Sequence, residues 1–468
     1  MADPLDSAVM LEDASEIVQE LYFDKYEEQY ASRFGSTTNK CFTPDPVPVM
    51  GDGKTMQYEV GPADSVRFQI DPLGEIASPQ RIDPGQIKIR WNRQNTSAHD
   101  FTQMSARVQF DLYTLENGKG GAIVDLADRI YNSVQGDFNE KLAILRHSDR
   151  TAQLALVNGT PKQNNRSTLT DSASTPTNTT GVRLAIDTGS IAVFKPNARY
   201  DFINPSTGAV RAGNLRCTDI PNYADSSVGF EFVTSGLTGE LSTGNIANIA
   251  DNDIIVYSGT YNSGLWSFGA WFAAPVNSAT FMCGANRESS SYRWMIPQRL
   301  SAGSAPISKT LFNNLAIAMG YLGEDPQNSV VIMSGPKQHQ AMRDEIGEDA
   351  FIQFPTGDER AKRFMNFGSI GLNYQHPTFG TVKIVADPLA REDRVLAIVN
   401  ETWKTLSYAW KGLRPIKRAG GEHWYFLNQS TPNTGQGLIK AADWVGNIAD
   451  WCTRPWKNGC IHTIAVPA

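Results

Sequence analysis

Three stretches of this sequence carry residue types that could do chemistry. Ile186-Asp187-Thr188-Gly189-Ser190 sets an aspartate in a D-T-G turn between apolar residues, the setting of an aspartic-type protease. That chemistry needs two carboxylates sharing one proton, and the chain holds no second D-[ST]-G, so a hairpin turn accounts for the same letters. A protease using Asp187, completed by a second copy, stays as the catalytic alternative. Gly303 to Thr310, GSAPISKT, approaches a phosphate-binding loop, but Ser308 stands where a glycine must let the backbone near phosphate. Ser308 as a helix N-cap explains it without a ligand. Histidines 99, 147, 339, 376, 423 and 462 have no H-E-x-x-H spacing, no G-x-S-x-G elbow occurs, and Cys452 and Cys460 read as buried core thiols. No catalytic, metal or cofactor site is expected, and the chain reads as a protein that is not an enzyme.

The elements that would position such residues are those of a multidomain chain, since 468 residues are enough for two or three cores. A formal net charge of -7 argues against a general nucleic-acid binder, whose affinity comes from Lys and Arg on phosphates. Six histidines and five cysteines are too few and scattered for a zinc scaffold or disulfide framework. The start MADPLDSAVMLED lacks a signal peptide's basic and apolar regions, and no stretch reaches the ~20 apolar residues of a membrane helix. The expectation is a protein made in a cytoplasm, without membrane contact.

The most periodic stretch is Gly121 to Asn158, where Ile123, Leu126, Ala127, Ile130, Tyr131, Val134, Phe138, Leu142 and Leu145 follow one helical face. It predicts one long amphipathic helix with Asp125–Arg129 and Asp137–Lys141 as i, i+4 ion pairs, interrupted by Gly136 and stopped at Asn158-Gly159. Before it, residues 1–60 pass from an acidic helical segment with Val9, Ile17, Val18, Leu21, Tyr22 and Tyr26 on one face into a Pro- and Gly-rich extended arm. Alternating runs follow at Val66, Phe68, Ile70; at Ile87, Ile89, Trp91; and at Val108, Phe110, Leu112, with Arg81, Lys88, Arg90 and Arg93 among them. A two-stranded ribbon of this kind is marginal in water unless something covers it.

Beyond the helix, 160–181 is a polar Ser/Thr/Asn/Pro tract that reads as a linker or exposed loop, and 182–260 holds short β-rich runs suggesting a small antiparallel barrel or sandwich. Residues 280–400 alternate helical and strand patterns: a Ser308-capped helix, the buried strand SVVIMSG (329–335), and a helix from Pro336 to Ile346. The last section is rich in Trp and Tyr, with a basic turn LRPIKRAGG at 413–421. The fold class expected is α+β.

The order of parts NRESSSYRWMIPQ, the Ser308 helix, SVVIMSGPKQHQAMRDEIGED, LNYQHPTFGTVKIVADPLAREDRVLAIVNETWKTL and NIADWCTRPWKNGCIHTI resembles the major capsid proteins of tailed bacteriophages, the Hong Kong phage capsid fold. The arm, ribbon and long helix stand in the corresponding order, so the resemblance covers nearly the whole chain. It implies a shell protein rather than an enzyme, divided into an N-terminal arm (1–60), an extended β-hairpin loop (61–114), a peripheral domain with a spine helix (115–160), a linker and β-rich insertion (161–279), an axial domain (280–400) and a return to the peripheral domain (401–468).

Subunit contacts are then expected at arm residues Ile17, Leu21 and Tyr22, ribbon residues Arg81, Lys88, Arg90 and Trp91, and tip residues Arg414, Lys417 and Arg418, with Gly136 as a hinge in the spine. The implied partners are further copies of the chain in pentamers and hexamers, a scaffolding protein, a portal protein, a cement or decoration protein, and packaged double-stranded DNA held by weak non-specific contact. The implied location is the virion, assembled in the host cytoplasm. An encapsulin-like nanocompartment shell is the alternative from cellular life.

Overall fold

The computed structural model describes residues 37–47, 55–59, 86–90, 102–111, 136–165, 170–172, 174–218, 226–235, 241–273, 281–282, 285–287, 295–320, 330–350, 371–376, 380–399, 402–408, 414–415, 425–426 and 439–466. They form an α+β chain with three large sheets of six, eight and six strands. Five helical segments position them: α1 (Thr37–Lys40), α2 (residues 136–147), α3 (Phe268–Trp271), α4 (Lys309–Gly320) and α5 (Pro336–Ala350).

Helix α2 buries Phe138, Leu142, Ala143 and Ile144, while Asp137 and Lys141 stay exposed, as the periodicity requires. It stops at His147, eleven residues before the end expected from sequence, which was Asn158. The expectation is corrected by local and long-range physics together. Ser148 Oγ donates to Leu145 O at 2.8 Å, and Asp149 Oδ1 accepts from Thr151 N at 2.9 Å, so short polar side chains take over the backbone groups a helix would use. From Ala155 the chain is a strand whose Ala155 and Val157 are sealed in a core that lies outside the local sequence. The first part of the expected helix, 121–135, lies outside the described residues.

That core is a closed barrel. Ala155–Asn165, Ile254–Tyr257, Arg199–Ile203, Val210–Cys217, Ser227–Glu231 and Val182–Asp187 pair antiparallel in a ring. Closure leaves no long open edge. Tyr200, Phe202 and Phe230 fill the interior, with Phe202 and Phe230 edge to face at 5.2 Å. The tract 160–181, expected as linker or loop, is corrected in part: 160–165 continue the first barrel strand, and Thr170–Ser172 pairs back onto it. Its polar composition fits a ribbon with Asn158, Thr160 and Lys162 exposed to water.

The central sheet runs Gln298–Ser301, Gly459–His462, Arg394–Val399, Val330–Ser334, Gly380–Ala386, Gly371–His376. Every residue of Val330–Ser334 is buried, which explains its unbroken apolar run. Ser308 Oγ accepts from Leu311 N at 3.4 Å and opens α4 as expected. At the start of α5 the Glu392 carboxylate accepts from Lys337 N at 3.3 Å and Gln338 N at 3.2 Å. Gly335 makes room for it, since a Cβ there would stand 2.4 Å from Glu392 Oε2.

The third sheet is built on the fourteen-residue strand Ile439–Cys452. Thr102–Asp111 pairs along one side, and Trp403–Tyr408, Arg414–Pro415 and Tyr425–Phe426 share the other. Thr43–Val47 then lies parallel on Trp403–Tyr408, with Pro44 and Pro46 tolerated at the sheet edge. So part of the expected free arm docks on its own chain. Three more expectations shift. Gln86–Arg90 pairs with Thr55–Glu59, which the arm was expected to contain. The run containing Val108 and Phe110 belongs with the C-terminal strand rather than the ribbon. The return segment 401–468 divides, its Gly459–His462 joining the central sheet. The run at Val66, Phe68 and Ile70 lies outside the described residues.

Gly335→Ala is expected to lower stability by about 1–3 kcal/mol through overpacking against Glu392. Gly136→Ala, where a Cβ meets nothing within 4 Å, should raise it by roughly 0.5–1 kcal/mol. Urea midpoints of the two purified variants check both signs.

Candidate functional site

Helix α2 ends in two polar residues, Arg146 and His147, both almost wholly buried. Arg146 Nε and Nη2 donate to the two oxygens of Asp450 at 2.8 and 3.1 Å, and Nη1 donates to Asn39 Oδ1 at 2.6 Å. Nη2 also reaches Thr405 Oγ1, whose own hydroxyl donates to Asp450 Oδ1 at 3.0 Å. The guanidinium lies 3.8 Å from the Phe42 ring centroid. Four separate segments therefore meet on one cation: the arm at 39–42, α2, and the strands carrying Thr405 and Asp450.

The neighbouring His147 Nε2 stands 2.6 Å from Thr38 Oγ1, and Thr38 in turn binds Asp387 Oδ2 through both its hydroxyl and its backbone N–H. Asp387 closes the strand Gly380–Ala386, where its N–H donates to Ser334 O at 2.9 Å and its Oδ1 accepts from Leu389 N at 2.9 Å. Around the polar groups, Phe42 packs on Phe268 at 4.8 Å and on Trp403 at 5.6 Å, and Trp271 meets Trp451 edge to face at 5.2 Å. Hydroxyl, imidazole and carboxylate invite comparison with a nucleophilic triad. Here the hydroxyl sits between the other two and is 0% exposed, so the chain of contacts clamps Thr38 rather than presenting it to a substrate. Burial pushes His147 down to about 4, with Arg394, Arg391 and Arg146 adding to it against the pull of Asp387.

The residues singled out for catalysis have structural employment. Asp187 accepts from Thr188 N through Oδ1 at 2.7 Å and from Gly189 N through its carbonyl at 2.7 Å, with Thr188 at φ 59°. A Cβ at Gly189 would lie 2.3 Å from Leu154 O, and Ser190 caps the 3-10 turn Ile191–Val193 while donating to Pro388 O. The D-T-G stretch is thus a tight turn from a strand into a 3-10 turn; the hairpin expected there does not form. In the loop before α4, Ser304 N donates to Thr463 O at 2.8 Å. Cys452 and Cys460 are unbridged and buried, which pushes both thiols up, Cys460 to about 11. Among the described residues no three His, Cys, Asp or Glu side chains cluster as metal ligands, and no helix is long and apolar enough to cross a membrane.

Of the expected contact residues, Lys88 stands opposite Gln57 and Arg90 opposite Thr55 in the ribbon, Arg414 stands opposite Val445, and Gly136 is helical. The ribbon and Arg414 belong to different sheets. Ile17, Leu21, Tyr22, Arg81, Trp91, Lys417 and Arg418 lie outside the described residues. Sequence reasoning missed Thr38, Arg146, His147, Asp387 and Asp450. A signal existed for two of them. Arg146 occupies the next i+4 place after Phe138 and Leu142 on the apolar stripe, and Asp450 alternates with the buried Ile448 and Cys452.

No protein-family model and no curated protein matches the sequence. Among solved structures, the chain is similar to a subunit of the cyanophage A-1(L) capsid asymmetric unit at 9% identity and TM-score 0.45, covering 93% of this chain and 95% of that one. It is similar to a chain of the satellite phage P4 procapsid with its size determination protein at 10% identity and TM-score 0.40, covering 96% and 99%. A third likeness, at 9% identity and TM-score 0.38 over 92% and 91%, is to the capsid of an empty GTA particle.

Asp450→Ala should cost about 3–5 kcal/mol, because it strands the buried Arg146 charge. Arg146→Met combined with Asp450→Leu should cost clearly less than Asp450→Ala alone, measured as the urea midpoint; equal losses would mean the pair is not coupled.

Proposed function

We propose that this chain is the major capsid protein of a tailed phage, whose copies close as pentamers and hexamers into an icosahedral shell around double-stranded DNA. One observation carries the reading. Among the described residues, the ribbon Thr55–Glu59 with Gln86–Arg90 pairs only with itself, while the strands before and after it, Thr43–Val47 and Thr102–Asp111, are built into the third sheet. A lone two-stranded ribbon is marginal in water and gains stability from a second surface. A neighbouring copy supplies that surface repeatedly in a shell. The order of the described parts along the chain, an arm segment, a ribbon, a helix, a β barrel and a central sheet, supports the same reading, although several boundaries differ from those the resemblance in sequence implies.

The role is structural. The hydroxyl, imidazole and carboxylates of the junction are spent on one another in a site closed to water. The acidic balance, net -7, suits a container wall that must not hold packaged DNA tightly. Scaffolding, portal and cement proteins are the expected partners, the virion the location, and cytoplasm of the host the place of assembly. Lys88, Arg90 and Trp91 with Arg81 form the ribbon's share of the subunit contact, Arg414, Lys417 and Arg418 the tip's, and Ile17, Leu21 and Tyr22 the arm's. Gly136 serves as the bend in the spine between assembly states.

Electron microscopy of the chain produced with a scaffolding protein should show closed shells, and a monomer under all conditions overturns the reading. Replacing 55–90 by a short Gly/Ser linker should leave a folded subunit, with unchanged circular dichroism, that no longer closes. Shells formed without the ribbon would remove it from the contact.

A further inference from the structure

The geometry points to a proton-released latch on the arm, in which His147 holds residues 37–42 against the body of the subunit and lets them go when it becomes charged. This property belongs to the subunit and stands apart from whether copies close into a shell. The latched segment is short and deeply seated: Thr38, Asn39, Cys41 and Phe42 are all buried. Thr38 bridges His147 and Asp387, Asn39 bridges Arg146 and the Asn139 carbonyl, and Phe42 fills the space between Phe268 and Trp403. The Thr38 hydroxyl has one proton. Given to the Asp387 carboxylate, the strongest acceptor nearby, it leaves the oxygen to accept from His147 Nε2–H.

Among the described residues, a second proton on the imidazole finds no counter-charge that is not already engaged. Arg146 on the same helix is taken by Asp450 of the third sheet. Arg391 and Arg394, from the turn and strand facing His147, share Asp393. Among the described residues Asp387 is the one carboxylate acting to favour a charged His147, and Thr38 and Leu389 already use both its oxygens. Phe268, 5.9 Å away, is the apolar wall. An imidazolium in this place faces three arginines in a water-free setting, and withdrawal of the arm segment is the way to admit water.

The direction with pH follows. Clamped, the imidazole is held to about 4; release removes burial and moves it back towards its ordinary 6.5. Above pH 6.5 both forms are neutral and the latch keeps its full stability. As pH falls from 6.5 towards 4 only the released form takes up the proton, so the latch weakens, and below 4 the loss is complete.

Cys41, inside the latched segment, reports release, and Cys217, fully buried in the barrel, reports the rest of the fold. The full-length parent protein is labelled with a dithiodipyridine, which reacts with thiols in acid, from about pH 7.5 down to about pH 4.5, and each cysteine is read by peptide mass spectrometry relative to the unfolded chain. Cys41 labelling should rise by up to about a hundredfold while Cys217 stays protected. In His147→Gln, which keeps a polar contact but does not titrate, Cys41 labelling should not depend on pH. Constant Cys41 protection in the parent, or Cys41 and Cys217 opening together, overturns the latch. A pH rise that persists in His147→Gln overturns it too. If that variant does not fold, the parent's Cys41 to Cys217 ratio decides alone.

Discussion

A guanidinium shut away from water must have every direction of its charge answered, and Arg146 imposes that demand at the place where distant parts of the chain converge. Its partners come from positions 39, 405 and 450, so no local segment could satisfy it. A buried pair of this kind adds little net stability over well-packed apolar residues, but each partner is costly to lose. Its value lies in what it specifies. The arm, the end of α2 and the two strands can meet in one arrangement, because any other leaves the charge unpaired. The aromatic shell of Phe42, Phe268, Trp271, Trp403 and Trp451 then keeps the site dry, which raises the stakes of every hydrogen bond inside.

The barrel is held to this body from several sides. Lys195 pairs with Glu140 of α2, Ser190 donates to Pro388 O beside Asp387, and Lys337 of α5 donates to Ser226 Oγ at 3.3 Å. Its own stability comes from closure: a ring of antiparallel strands satisfies its backbone internally and encloses a continuous apolar core. The ribbon is the opposite case, two strands of five residues each that pair only with each other among the described residues. A self-sufficient body with an insufficient projection is the physical ground on which the shell role is proposed.

Apolar periodicity read the strands and helices where burial is local and one-sided. The capped start of α4 followed from Ser308 as a residue type, the wholly buried strand Val330–Ser334 from its unbroken apolar run, and the stripe Phe138, Leu142 from helical spacing, since each signal lies within the element itself. The same reasoning ran the helix on to Asn158. Leu154, Ala155 and Val157 are as apolar as a helical stripe needs, and nothing in their spacing tells that a barrel from 182–257 takes them as its first strand. The polar tract after them read as loop because an exposed hairpin and a loop share a composition.

Composition, charge and periodicity were enough to establish an α+β chain without a recognisable catalytic or metal-binding motif, with an arm and ribbon too poor in apolar surface to form a core. These are properties of residue types and near neighbours. Which segments pair, where the arm docks, and that Thr38, Arg146, His147, Asp387 and Asp450 form one junction were decided only in three dimensions. Thr38 and Asp387, bonded directly to each other, stand 349 positions apart, and a buried charge is satisfied by whatever the fold brings within about three ångströms, not by what lies beside it in the chain.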